Sequence, residues 1–359
     1  MNNRINTGLR LNVNQFISAV NLIVLFMMSC TRVVYDVAYP TLSDGKYDTE
    51  FPYKDCSRQL EEISKTIKKV RCTAYYRSYL FAENQNIQDA DLLKIDLDAT
   101  ANGLVHYNES SHGTATIIYA SASKLALLTC AHIVDFPDTV ISHHFTGTED
   151  GVRVVQSLAI RVQQHYWISE MPLEGEVQLL VKDTGKDLAI LGKELTTAVD
   201  LPLTVFDYPF GQARRLEWGS FVYIMGYPIG YKMITQGIVS DPNRDSMGSF
   251  LIDALFNRGF SGGIVLAIKD GVPNFELVGI AKSVSANQDY FLVPAPEMNE
   301  STYDPYFPYT GDRYVQKITD INYGITYAIS AETIKNFVKR NEHILKKAGY
   351  NLDKLWTNH

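Results

Sequence analysis

The chain has 359 residues, 46% of them hydrophobic and 20% charged, with a formal net charge of −7. That length supports a core larger than one six-stranded barrel needs, and the composition is that of a folded soluble protein. The negative balance and the lack of any basic run exclude nucleic acid as a partner, because such binding rests on neutralising phosphates.

Met1 to Gln15 is polar and carries Arg4 and Arg10 but no carboxylate. Phe16 to Met28 is then mostly apolar, and its 13 residues are too few to cross a bilayer core about 30 Å thick as a helix. A basic start, a short apolar run and a small residue after it read as an export signal. The run closes in Met27-Met28-Ser29-Cys30, which resembles a bacterial lipobox, although Met28 stands where a smaller residue is usual. A simple cleaved signal or an uncleaved anchor is the alternative. Residues 1–29 are therefore expected to be a lipoprotein signal peptide, with Cys30 lipidated and the mature protein exported and held at a membrane of the cell envelope.

Residues 30–56 are polar and aromatic with no clear period, as in a tether. From Ser57, Leu60, Ile63, Ile67 and Val70 recur at helical spacing and predict a short amphipathic helix. Cys72 to Phe81 reads as a strand, and residues 82–111 as a polar, mobile surface connection. Of the cysteines, Cys56 and Cys72 would stand too far apart for a disulfide across a continuous helix, and Cys130 in its apolar strand reads as a buried structural thiol. No CxxC or paired His/Cys spacing calls for a metal, and His143-His144 would point to opposite faces of a strand.

Short strands follow: Thr114–Tyr119, Leu125–Thr129, Val152–Gln156, Leu158–Val162, Val177–Lys182, Leu188–Leu191, Phe221–Met225, Gly237–Ser240, Phe250–Asp253, Gly263–Ile268, Leu277–Ala281 and Ile325–Ile329. Turn residues separate most of them, which predicts an antiparallel barrel or sandwich. Ser330 is placed to N-cap a last helix with Ile334, Phe337, Val338 and Leu345 on its apolar stripe and Gly349 at its end.

Three stretches carry chemistry. In Leu125-Ala-Leu-Leu-Thr-Cys-Ala-His132 an apolar strand ends in a histidine, a rigid mounting for a general base, although such a histidine alone is more often structural. In Lys186-Asp187-Leu-Ala-Ile-Leu an aspartate opens an apolar strand, where a part-buried carboxylate can orient an imidazole; Asp183 and Asp200 are rivals without such a strand directly behind them. In Gly259-Phe-Ser261-Gly-Gly263 a serine sits among glycines that permit a tight path and backbone N–H groups aimed at one point.

In the order His, Asp, Ser these stretches resemble the trypsin-like serine peptidases, and more closely the HtrA/DegP group, whose usual TNAH, DLAVL and GNSGG stand beside TCAH, DLAIL and GFSGG here. Gly113-Thr-Ala-Thr-Ile-Ile, Val222 to Gly230 with Thr235 to Ser240, and Gly324 to Ser330 look like further parts of that domain. The resemblance covers about residues 57–345. It implies an all-β fold of two six-stranded antiparallel β-barrels, over 57–200 and 201–349, with a short N-terminal and a C-terminal helix and a tail at 350–359. It also implies a catalytic triad of His132, Asp187 and Ser261, an oxyanion hole of the Gly259 and Ser261 N–H groups, polypeptide substrates and no cofactor. Leu255, six residues before the serine, would sit at the pocket floor and favour an apolar residue before the scissile bond.

Phe260 departs from the family's polar residue and Ile264 from its common proline. The long interval between His132 and Asp187 implies an inserted hairpin within 136–175. A tyrosine-rich insertion at 286–322 reads either as a surface loop or as a lid, and no PDZ module is expected. The functional expectation is a serine endopeptidase acting on exported or misfolded proteins. The rival is an impaired fold that binds peptides as a chaperone-like lipoprotein.

Overall fold

The computed structural model describes residues 43–144, 153–169, 174–195, 203–254, 257–294 and 313–356, without the side chains of 283–324 and Lys354. Cys30, Leu255, Asp200, Tyr303, Tyr306, Phe307 and Tyr309 lie outside those residues, as does the whole expected signal peptide.

Helix α1 (Ser57–Ser64) leads into β1 (Ile67–Leu80), β2 (Gly103–Ala120) and β3 (Lys124–Thr129). A one-turn helix, α2 (Leu97–Thr100), precedes β2, and another, α3 (Ala131–Val134), follows β3. Then come β4 (Thr139–His143), β5 (Val155–Ile168), β6 (Gly175–Asp183) and β7 (Leu188–Glu194). The sheet order is β1-β2-β3-β7-β6-β5-β4, and β5 also pairs with β1. That pairing closes a six-stranded barrel and leaves β4 as an added strand on β5.

The second barrel consists of β8 (Phe221–Gly226), β9 (Met233–Asp241), β10 (Phe250–Asp253), β11 (Ile264–Ile268), β12 (Phe275–Pro294) and β13 (Arg313–Ser330). It closes in the order β10-β13-β12-β11-β8-β9. The fold is therefore two six-stranded antiparallel barrels with few helices, the trypsin-like architecture.

Burial explains the sequence of the strands nearest the junction. β8 and β11 are buried along their whole length. Val222, Ile224, Val265 and Ala267 fill the second barrel. Phe221, Tyr223, Met225, Ile264 and Leu266 point the other way, into a core shared with Ile117, Leu127, Leu128 and Ile133 of the first barrel. A strand buried on both faces needs a continuous apolar run rather than alternation, and Phe-Val-Tyr-Ile-Met is such a run.

Several expectations need correction. The predicted helix stops at Ser64, because Thr66 turns its Oγ1 back to the Ile63 carbonyl and Ile67 and Val70 already belong to β1. Residues 82–111 are not simply a polar loop. Phe81, Ile87 and Leu92 form a small core with Tyr79, Val155 and Leu158, and Gly103 onward pairs residue by residue with β1. The two strands expected within 152–162 are one strand, β5, which continues to Ile168. The last helix breaks at Asn341 into α4 (Ala331–Arg340) and α5 (Glu342–Lys347).

Ser330 does cap α4 by accepting the Thr333 amide at 3.2 Å. Cys56, Cys72 and Cys130 are free and buried. The flanks of the 286–322 insertion continue β12 and β13 as a paired hairpin, from Ala286↔Ile321 to Pro294↔Arg313.

The segment before α1 lies along the second barrel. Asp48 donates its amide to Ile268 and accepts that of Phe221, Tyr47 Oη donates to Glu276, and Phe51 packs on Phe221. The expected tether is thus, from Tyr47 onward, a strap built into the fold.

Candidate active site

β3 ends at Thr129, and Cys130 turns the chain into α3, which presents His132 at the surface with Ala131, Ile133 and Val134 buried beneath it. The histidine is mounted not on the strand end itself but on the first turn after it. Asp187 closes the turn between β6 and β7, with φ +57. A short polar side chain tolerates that left-handed backbone better than a bulky one.

The Asp187 carboxylate is buried and meets His132 three times. Oδ1 accepts the His132 backbone amide at 2.8 Å, and Nδ1 lies 3.0 Å from Oδ1 and 2.9 Å from Oδ2. This geometry sets Nδ1 as the protonated nitrogen and leaves Nε2 with its lone pair toward solvent. Asp183, the described rival, instead caps its own turn by accepting the Lys186 amide.

The serine loop is shaped by two glycines at positive φ. At Gly259, φ is +107 and an added Cβ would lie 2.1 Å from the Tyr227 carbonyl oxygen; at Gly262, φ is +82 and a Cβ would lie 2.1 Å from that of Thr114. No other residue fits either place. Among the described residues, the N–H groups of Gly259 and Ser261 have no acceptor, whereas those of Phe260, Gly262 and Gly263 are all bonded within the protein. Two unspent donors flank the serine, as a developing oxyanion requires.

Phe260 is buried in the second barrel and packs against Gly226. Its ring is therefore part of that core.

Thr114 ties the loop to the first barrel. Its amide donates to the Ser261 carbonyl at 2.8 Å. Its Oγ1 donates to the Gly259 carbonyl at 2.7 Å and accepts the Tyr227 amide at 2.9 Å. Thr129 Oγ1 in turn donates to the Thr114 carbonyl. A Cβ on Gly113 would lie 2.3 Å from Ile133 Cδ1 and 2.8 Å from the Ser261 oxygen, so the serine loop abuts the residue next to His132. Sequence reasoning marked Gly113-Thr114 as a strand but missed this role. Two threonines, Thr114 and Thr116, interrupt the apolar run and both are buried, but only the Thr114 hydroxyl finds a partner among the described residues, so the sequence held no signal that singled Thr114 out.

The structure thus forms the His132–Asp187 pair and sets the serine loop beside it. Among the described residues, Ser261 Oγ and His132 Nε2 have no hydrogen bond, to each other or elsewhere. Catalytic contacts of this kind are often loose before substrate binds.

Cys130 Sγ, the His132 ring and Asp187 have ligand atoms within 4.8 Å of one another. Burial holds the thiol protonated by raising its pKa, and Sγ donates to the Ala281 carbonyl. A metal held by all three would need the thiolate, which burial disfavours, and the carboxylate, which already accepts the His132 amide and lies against its ring. The cluster fits an oriented imidazole better than a metal centre.

Residues 113–280 match the family model of the trypsin-like peptidase domain, a stretch that contains His132, Asp187 and Ser261. A comparison with curated proteins finds no match. Among solved structures, kallikrein-related peptidase 10 is similar at a TM-score of 0.32 and 11% identity, over 74% of this chain and 95% of that one. A likeness that slight carries no argument.

Proposed function

Starting from a trypsin-like peptidase domain, we propose that the chain is a serine endopeptidase that works through an acyl-enzyme on Ser261. The observation that carries this reading is the oriented His132–Asp187 pair beside a serine whose two neighbouring amides lack acceptors. Ser261 Oγ attacks a peptide carbonyl while His132 Nε2 takes its proton. Asp187 stabilises the imidazolium, and the Gly259 and Ser261 N–H groups hold the oxyanion. His132 then protonates the leaving amine, and water releases the acyl group by the same steps. The scheme calls on no metal or organic cofactor.

Treatment with a fluorophosphonate probe, followed by peptide mapping, tests the assignment. Labelling at Ser261, with turnover of a denatured protein reduced about 10⁴-fold or more in Ser261→Ala, is the expected result. A Ser261→Ala variant as active as the parent would overturn it. The unformed Ser261–His132 bond favours a second reading, a peptide-binding protein without turnover, and an unlabelled Ser261 would support that reading.

The substrates in this reading are exported or misfolded polypeptides. Export and lipid attachment at Cys30 rest on the basic start, the apolar run and the Ser29-Cys30 end of the leader. Metabolic labelling with a radioactive fatty acid, present in the parent and absent in Cys30→Ala, is the expected outcome. Equal labelling of both would rule it out.

A further inference from the structure

The serine loop is bordered on both sides by cations that the protein itself does not neutralise. On one side, β1 sets Lys69 opposite Thr114 and Arg71 opposite His112. Residues two apart on a strand share a face. These groups therefore stand on the face from which Thr114 reaches the Gly259 carbonyl. The Lys69 ammonium lies against the turn after β8, where a Cβ on Gly230 would sit 2.9 Å from its Nζ. That turn is tied to the serine loop, because Ile229 donates its amide to the Arg258 carbonyl at 2.9 Å. Partial burial lowers the pKa of His112, and repulsion from Lys69 and Arg258 lowers it further, so the three share one field.

On the other side stands Lys282. Ala281 donates its amide to the Gly263 carbonyl and accepts the Gly262 amide, both at 2.8 Å, and its carbonyl also receives Cys130 Sγ. The next residue, Lys282, is the extra one in a bulge. Ala281 pairs with Ala328 and Ser283 with Tyr327, which leaves Lys282 without an opposite residue on β13. Bulges re-aim a side chain, and this one leaves Lys282 half-buried beside the serine loop. Its charge acts against the burial that raises the Cys130 pKa.

Among the described residues, the side chains of Lys69, Arg71, Arg258 and Lys282 have no ion pair and no hydrogen bond. The carboxylates near His132 are already engaged: Asp187 meets its ring, and Asp135 pairs with Lys182. The chain as a whole carries −7, so these cations stand against the sign of the molecule.

We propose that Lys69, Arg258 and Lys282 make the cleft selective for acidic polypeptide, an inference that rests on the peptidase reading above and names its substrate class. A carboxylate near the scissile bond meets an uncompensated cation on either side of the loop. A basic side chain there meets like charge without a counter-ion, although the net charge of the molecule attracts it from a distance. Lys69 and Lys282 are half-buried and Arg258 is exposed, so salt should weaken the selection. The Debye length falls from about 10 Å at about 0.1 M to about 3 Å at about 1 M.

The test uses a peptide built on a cleavage site that the enzyme makes in reduced casein. Its residues next but one to the cut, on both sides, are set to Glu, Gln or Lys. The Glu version should show about tenfold higher kcat/KM than the Gln version, and the Lys version the lowest. This order should fade at about 1 M salt. Lys69→Gln with Arg258→Gln and Lys282→Gln together should bring the Glu-to-Gln ratio close to one, whereas Lys282→Arg should keep it. A variant that only loosens the fold lowers both peptides alike and leaves the ratio in place.

Binding of the same peptides to Ser261→Ala, read by fluorescence anisotropy, separates this proposal from the peptidase reading. Tighter binding of the Glu version without any hydrolysis by the parent keeps the selectivity and overturns the peptidase reading. Hydrolysis at equal rates for Glu and Gln overturns the proposal and keeps the peptidase. A preference for Glu that survives in the triple variant also overturns it, because other residues would then supply the charge.

Discussion

Thr114 Oγ1 donates to the carbonyl of Gly259 at 2.7 Å, across the boundary between the two barrels. The Gly259–Phe260 peptide that it holds lies between the two amides assigned to the oxyanion. One hydroxyl of the first barrel thus orients the backbone of a loop in the second. Thr114→Val keeps the shape and leaves the Gly259 carbonyl and Tyr227 amide without their partner, at a cost of about 1–3 kcal/mol each. We expect kcat to fall by more than tenfold with KM little changed, and Thr114→Ser to restore most of it. Steady-state peptide hydrolysis together with urea unfolding of both variants checks this. Equal loss in Thr114→Ser would contradict a role for the hydroxyl.

Asp187→Asn tests the orientation of the imidazole. Asparagine also tolerates the left-handed backbone at this position, so the turn should persist. Its amide can donate to Nδ1, which favours the tautomer with a proton on Nε2 and removes the base. A drop of about 10⁴ in kcat is expected with the fold retained by circular dichroism. A drop of less than tenfold would mean that the carboxylate does not serve His132.

Phe260 belongs to the core rather than to the chemistry. Phe260→Ala should destabilise by about 3–5 kcal/mol through the cavity it leaves in the second barrel. Phe260→Leu should cost far less and keep kcat/KM within a few-fold of the parent. Denaturant unfolding and hydrolysis of one peptide by each variant separate the two effects. Full stability with lost activity in Phe260→Leu would place the ring in the site instead.

Asp48 makes the strap sensitive to pH. Burial pushes its carboxyl up to about 6, with repulsion from Glu50, Asp270 and Asp44, against an opposing hydrogen bond from the Gly271 amide. The folded chain therefore holds this proton more tightly than the unfolded chain. The contribution is greatest below the ordinary carboxylate range and is lost as pH rises through about 6. A shift of that size is worth at most about 2–3 kcal/mol. Asp48→Asn keeps an acceptor for Gly271 and removes the titration. Urea unfolding at about pH 4.5 and about pH 7 should show a smaller fall in stability for Asp48→Asn than for the parent. Identical falls would remove Asp48 from the account.

Sequence patterns marked the candidate residues better than the geometry around them. His132, Asp187 and Ser261 each stand next to an apolar strand or among glycines, so their neighbours announce them. The outer half of β2 had no such signal, because both of its faces are largely exposed beyond the barrel and no alternation of apolar residues results. The strap was invisible for a related reason. It is held by main-chain bonds and by single contacts such as Tyr47 with Glu276, which impose no period on the sequence. Thr114 lay in plain view in Gly113-Thr-Ala-Thr, but its partners come from residues more than a hundred positions later. Only the closed fold reveals them.

The strap also dictates an order of assembly. Tyr47 finds Glu276 across 229 residues, and Gly45 finds Asp270 across 225. During synthesis the first barrel can close once β7 has left the ribosome, while the stretch ahead of it has nowhere to dock. Loop closure over so long a span comes late in folding. The strap, made before either barrel, is thus among the last parts to be seated, and its docking marks a molecule whose second barrel is complete.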